Sequence, residues 1–270
     1  MTTGKKIIGC IGTGNMGSAI LVRLAKSYDP KFLHAYDVDS YKTDTLLREC
    51  SIAIEQSPDA LAENSAIIII AVKPESVASV LESIKKKISP GKILVSIAAG
   101  VKISSIEQIL GATAKIVRVI PNTPVLVGEG MSVLSPSRSV DDDSLLEVEQ
   151  LFSKIGRVLV LPEKLLDAAT GLSGSGPAYV FTFIQALADG GVKLGIPRDK
   201  ALILSAQTVL GSAKYVLENS EDPISLRGKV TSPGGTTIEG IYTLERSGFA
   251  GIVMEAVEKA ALKSQKLGEK

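Results

Sequence analysis

Ala66-Ile67-Ile68-Ile69-Ile70-Ala71-Val72 is apolar without a break and rich in β-branched side chains. Such a run has no polar face to offer to water. It suits a strand buried on both sides, as in a parallel sheet covered by helices. Shorter runs repeat the theme at 7–11, 32–36, 93–97 and 115–119. Helical spacing lies between them, over 16–26, 77–88 and 104–110. Strands alternating with helices predict an α/β fold with a doubly wound parallel sheet.

The character changes near Pro162. Asp141-Asp142-Asp143-Ser144 caps a helix that runs to Lys154, and 157–161 reads as a last strand. Beyond it no strand signal is found. Residues 177–194 are apolar nearly all round and open on Pro177, a residue suited to a first helical turn. Pro197 opens a helix to about 217, and 236–247 and 249–267 complete an all-helical C-terminal part. The expected domains are 1–162 and 163–270. Helices this apolar should be buried, yet about one hundred residues can scarcely bury them alone. A partner subunit is the expected cover.

Charge excludes one class of function. Lys plus Arg number 30 against 29 for Asp plus Glu, a net charge of +1, so there is no footprint for nucleic acid. Lys85-Lys86-Lys87 reads as a helix end, where cations suit the dipole. Two cysteines, Cys10 and Cys50, make neither a disulfide framework nor a zinc spacing. His34 is the single histidine, so neither a His-based metal site nor a Ser-His-Asp triad is expected. The longest apolar run falls well short of the ~20 residues that span a bilayer. Lys5-Lys6 before Ile7-Ile8-Gly9-Cys10 imitates a lipoprotein signal but lacks its apolar stretch, so the expected compartment is the cytoplasm.

Ile11-Gly12-Thr13-Gly14-Asn15-Met16-Gly17 is G-x-G-x-x-G between a strand and a helix. Gly12 permits the tight turn, Gly14 lets the backbone approach a pyrophosphate, and Gly17 allows close helix–sheet packing. The helix start adds amide donors and a positive dipole end. The plainer reading is a glycine-rich turn, but position and flanks agree with a dinucleotide site. Asp37 follows at about the 20-residue spacing at which an acid meets the adenine ribose hydroxyls. An acid there opposes a 2′-phosphate: unit charges ~5 Å apart at a dielectric of ~20 repel by about 3 kcal/mol, roughly two decades in affinity. This points to NADH. Asp39 is the alternative, and a solvated turn aspartate the plain reading. Ala71-Val72-Lys73-Pro74 and Ala98-Ala99-Gly100 each follow a buried strand, where ligands gather in such sheets. Lys73 would face the cofactor, and the small residues would let the nicotinamide ring lie against backbone. Ordinary loop chemistry is the competing reading for both.

Val230-Thr231-Ser232-Pro233-Gly234-Gly235-Thr236-Thr237 is the least bland stretch. Pro-Gly-Gly sets a tight, adaptable loop. Thr236 with Glu239 reads as a capping box, placing Thr237 in the first turn of a helix. That helix start would offer free amides and hydroxyls to a small carboxylate. Taken alone, a well-capped helix is the simpler account. Gly171-Leu172-Ser173-Gly174-Ser175-Gly176-Pro177-Ala178-Tyr179 is a second dense cluster of small polar residues before a helix.

Together these stretches resemble the pyrroline-5-carboxylate reductase family over nearly the whole chain. The resemblance also rests on Pro121-Asn122-Thr123-Pro124 and Ala188-Asp189-Gly190-Gly191-Val192. It implies an N-terminal Rossmann domain, a C-terminal helical dimerisation domain, and a decamer built from homodimers in which one subunit completes its neighbour's site. It implies hydride transfer from NAD(P)H to the imine of 1-pyrroline-5-carboxylate, giving L-proline. The 230–237 loop would hold the substrate carboxylate and Thr237 the ring nitrogen, with Thr237 and Lys73 as the catalytic pair. An imine nitrogen can be protonated before hydride arrives, so a hydroxyl donor with good orientation suffices where a ketone would call for a stronger acid.

Three departures from the family pattern stand out. Ser57-Pro58 replaces an Asn after the second strand–helix unit, Asp37 replaces a Ser or Asn, and Asp222-Pro223 replaces a His-Pro. The first two put the family's usual NADPH in question. Two rivals remain. A 3-hydroxyacid dehydrogenase would carry a Lys and an Asn early on the long second-domain helix, and 171–188 has neither. A non-catalytic nucleotide-sensing protein would have no need of an intact 231–237 loop.

Overall fold

The computed structural model describes residues 6–268. They divide into two compact units, one running up to Ser175 and taking in the stretch from Lys259, the other Gly176–Glu258.

The first unit holds one eight-stranded sheet: β1 (Ile8–Ile11), β2 (Leu33–Tyr36), β3 (Ala53–Ile54), β4 (Ile67–Ile70), β5 (Ile93–Ser96), β6 (Lys115–Ile120), β7 (Gly130–Pro136) and β8 (Gly156–Val160). Their order is β3-β2-β1-β4-β5-β6-β7-β8. The run at 66–72 shows why it could stay apolar. Ile67 and Ile69 enter one core cluster, Ile68 and Ile70 the other, and all four are buried. One face is covered by α1 (Asn15–Leu24), α2 (Ser40–Cys50) and α6 (Asp142–Phe152) through Leu21, Leu46 and Phe152. The other is covered by α3 (Pro58–Asn64), α4 (Pro74–Ile84) and α5 (Ile103–Leu110) through Leu61, Leu81 and Ile106. Side chains of this kind contribute roughly 1.5–3 kcal/mol each when fully buried.

The sheet is not parallel throughout. β7 runs antiparallel to β6, and β8 runs parallel to β7, so the last two strands oppose the other six. β7 escapes a search for apolar runs because Gly130, Ser132, Ser135 and Pro136 interrupt it. Its serines are nonetheless buried. The two-residue β3 is too short to leave a pattern. Lys85–Lys87 forms a single 3-10 turn at the end of α4, as its charge predicts.

The stretch after β8 is helical: α7 (Leu166–Ala169) and then one π turn, Thr170–Gly174. The second unit comprises α8 (Gly176–Lys193), α9 (Arg198–Glu218), α10 (Pro223–Lys229), α11 (Thr236–Arg246) and most of α12 (Phe249–Leu267). α8 and α9 pack on each other, with Ala201 close to Gly191. Phe183 stacks obliquely on Phe249 at 5.9 Å between ring centroids. Within the single chain the apolar faces here stay open: Phe181 is 63% and Leu194 85% exposed. Burial of these helices is therefore not achieved by their own unit.

Candidate functional site

The six strands β1 to β6 run the same way, so their carboxyl ends share one edge of the sheet. β1 lies between β2 and β4, where the strand order reverses, and ligands of such sheets sit at that switch point. The 12–17 turn occupies it. Gly12 has φ +95, and a Cβ there would come within 2.7 Å of the Ala71 carbonyl. A Cβ on Gly17 would overlap the carbonyl oxygen of Gly12, so this glycine lets α1 close onto the turn. Gly14 differs: it is the N-cap of α1, makes no side-chain cap, and a Cβ on it would meet nothing within 4 Å. Gly12 and Gly17 thus serve the tight turn and the close packing, and Gly14 leaves open space at a helix start.

Asp37 is tied into this turn. Its Oδ2 accepts from the Thr13 backbone N–H at 2.6 Å and from the Thr13 hydroxyl at 3.1 Å. Its Oδ1 accepts from the Asp39 N–H at 2.9 Å and lies 3.8 Å from the Lys42 ammonium. The side chain is 8% exposed. Burial pushes its carboxyl up, but the Thr13 and Asp39 amides, the Thr13 hydroxyl and Lys42 outweigh this and hold it below the usual aspartate value. Asp39 is exposed and instead caps α2 through the Tyr41 N–H. Spacing located Asp37; it did not reveal that the carboxylate also clasps the glycine turn.

Ala71, Val72, Lys73 and Pro74 lead from the end of β4 into α4, with Lys73 exposed at its N-cap. Ala98 and Gly100 are buried and Ala99 is exposed beyond β5. Ile11, Thr13, Asn15 and Met16 complete the same edge, Thr13 buried and Asn15 exposed. Ser57 caps α3 by accepting from the Ala60 N–H. Cys10 is a core residue: its thiol donates weakly to the Gly12 carbonyl, and burial, with a smaller push from Asp37, drives it up to about 12. His34 pairs through Nδ1 with Glu55 at 2.7 Å.

In the second unit, 230–237 joins α10 to α11. Thr231 donates its hydroxyl to the Arg227 carbonyl, and the Gly235 N–H reaches the Ser232 carbonyl at 3.1 Å. Gly234 has φ +66 in open space. The expected capping box is not formed. Gly235 is the N-cap of α11, it makes no side-chain cap, and Thr236 is already helical. With the boundary one residue earlier, Thr236 is the first helical residue rather than the cap. The consequence strengthens the chemistry: no side chain caps the helix start, and half-buried Thr237 sits in its first turn beside Gly235. Val230, Ser232 and Pro233 are exposed. Asp222 caps α10 through the Ile224 and Ser225 N–H groups.

A family model described as pyrroline-5-carboxylate reductase dimerisation matches residues 163–267. One described as NADP oxidoreductase coenzyme F420-dependent matches residues 7–100. The pyrroline-5-carboxylate reductase of Methanosarcina acetivorans is 42% identical, covering 97% of this chain and 98% of the relative. Among solved structures, the pyrroline carboxylate reductase of Plasmodium falciparum with NADP bound is 37% identical, with TM-score 0.88 and coverage of 97% and 98%. A pyrroline-5-carboxylate reductase from Coxiella burnetii is 33% identical, with TM-score 0.93 and coverage of 99% and 100%.

Proposed function

This chain belongs to the pyrroline-5-carboxylate reductase family, and on that premise we propose that it reduces 1-pyrroline-5-carboxylate to L-proline with NAD(P)H. The observation that carries the reading is the 12–17 turn at the switch point, its glycines packed where a pyrophosphate needs them and open at Gly14.

When bound, the reduced nicotinamide supplies a hydride to the imine carbon. The residues of this chain do the rest. Ile11, Gly12, Thr13, Gly14, Asn15, Met16 and Gly17 form the phosphate cradle. Ala71, Val72, Lys73 and Pro74 line the edge beside it, and Lys73 brings a cation there. Ala98, Ala99 and Gly100 offer a flat, small-residue wall. Val230, Thr231, Ser232, Gly234, Gly235 and Thr236 frame the substrate carboxylate with amides and hydroxyls. The Thr237 hydroxyl orients the ring nitrogen, whose protonated imine is already electrophilic.

Asp37 gives the reading a finer form. Its charge at the end of β2 opposes a 2′-phosphate, which favours NADH. Lys42 offsets part of that charge. The open apolar faces of α8 and α9 support a homodimer, and the family resemblance a decamer of dimers, which native mass spectrometry reads directly. Two free thiols fit a reducing compartment such as the cytoplasm.

Steady-state kinetics with both cofactors test the reading. Oxidation of NADH or NADPH is expected with 1-pyrroline-5-carboxylate and not with oxidised 3-hydroxyacids. No turnover with either cofactor would overturn it. Asp37→Ser is expected to raise the NADPH-to-NADH ratio of kcat/KM, and a strong wild-type preference for NADPH would remove Asp37 as a discriminator.

A further inference from the structure

Asn122 stands two residues beyond β6, on the edge where the cofactor strands end. It is the N-cap of the 3-10 turn Thr123–Val127, a position where an asparagine side chain ordinarily caps the following amides. Here it makes no cap. Only 8% of the residue is exposed, and both ends of its side-chain amide are engaged elsewhere. Its Oδ1 accepts from the Met131 N–H of β7 at 2.8 Å. Its Nδ2 donates to the Ser173 carbonyl at 3.0 Å.

The second bond is the informative one. Ser173 lies in the π turn Thr170–Gly174, closed by the Ser175 N–H on the Thr170 carbonyl at 2.8 Å. A π turn breaks the regular ladder and leaves carbonyls for outside donors. Asn122 takes one of them. A Cβ added to Gly174 would lie 3.6 Å from Ile120 Cγ2, so the turn lies close to the carboxyl end of β6. A π turn within a helix is otherwise costly and recurs mostly at functional sites.

We propose that Asn122 is a positioning residue for hydride transfer, clasping the π turn Thr170–Gly174 to the carboxyl end of β6 so that the small residues Ser173 to Ser175 border the reacting ring. The clasp joins two stretches far apart in sequence through one side-chain amide. Its donor half sets the π turn and its acceptor half sets the start of β7. The role in turnover rests on the reductase reading above; the clasp itself does not.

Asn122→Asp separates the halves, since it keeps an acceptor for Met131 but turns an oxygen toward the Ser173 carbonyl. Amide hydrogen exchange over 170–175 is expected to quicken at least tenfold, with exchange over β1 and β2 unchanged. In the same protein kcat should fall at least tenfold, the Kd of NADH by fluorescence should stay within twofold, and the isotope effect with 4-deuterated cofactor should rise. Unchanged exchange overturns the clasp. Faster exchange with wild-type kcat overturns the positioning role. Should Asn122→Asp not fold, Asn122→Ser, which can satisfy one partner at most, carries the same readouts. Wild-type turnover is measured first: its absence overturns the reductase reading, and the exchange result then decides the clasp by itself.

Discussion

The 12–17 turn and the 230–237 loop both bring glycines to the start of a helix, and they are built in opposite ways. The first is enclosed. Gly12 and Gly17 are required by atoms of the chain itself, and Asp37 ties Thr13 in place from the neighbouring strand. The second is open. Gly234 meets nothing, most of the loop is exposed, and α11 starts without a side-chain cap. A long dinucleotide with a fixed pyrophosphate suits a site its own chain has organised, whereas a small carboxylate suits a loop with unspent amides. The comparison also separates two kinds of glycine. One is held by crowding, the other by a backbone torsion alone.

The sharpest way to break the comparison is Gly17→Ala. Its methyl overlaps a backbone carbonyl that cannot move without unseating the turn. Cofactor Kd is expected to rise at least about 100-fold, about 2.8 kcal/mol, by fluorescence titration. Near-normal binding would mean the turn is as adaptable as the loop. Thr237→Ala comes next. Loss of a hydrogen bond to a charged partner costs about 1.5–3 kcal/mol, so kcat should fall at least about tenfold while cofactor Kd barely changes. Full activity in this variant would take Thr237 out of the mechanism.

Gly234→Ala probes torsion without crowding. A non-glycine residue in the left-handed region costs about 1–2 kcal/mol, so the KM for 1-pyrroline-5-carboxylate should rise about fivefold or more. Cofactor Kd should stay put; a matching rise there would erase the distinction between the two sites. The smallest effect concerns Cys10, which feeds the enclosed turn. Its thiol is pushed from 9.0 up to about 12. A raised value means its contribution to stability is complete below the unfolded thiol pKa and is lost as pH climbs from about 9 toward about 12. Melting temperature should decline across that window, less steeply in Cys10→Ala, and iodoacetamide at pH 8 should leave the native Cys10 unmodified by mass spectrometry.

Legibility followed the same divide. The enclosed region could be read because its constraints are local: a strand buried on both faces must be apolar throughout, and a turn that admits no Cβ must be glycine. Those constraints write themselves into β4 and into Gly12 and Gly17. β7 could not be read, because Gly130, Ser132, Ser135 and Pro136 break its apolar pattern although the two serines are buried. The start of α11 was misplaced by one residue, because Thr236 and Glu239 have the composition of a capping box whether or not the backbone turns there.

By itself, then, the sequence determined the layering of the sheet, the phosphate turn and the family to which the whole chain is similar, since periodicity, steric exclusion and motif order are properties of the chain read in line. Tertiary structure alone decided that β7 and β8 reverse direction, that Asp37 clasps Thr13, and that Asn122 leaves its own turn to hold Ser173. Each of these is a hydrogen bond between groups brought together only by folding, and neither partner carries any mark of the other in its neighbouring residues.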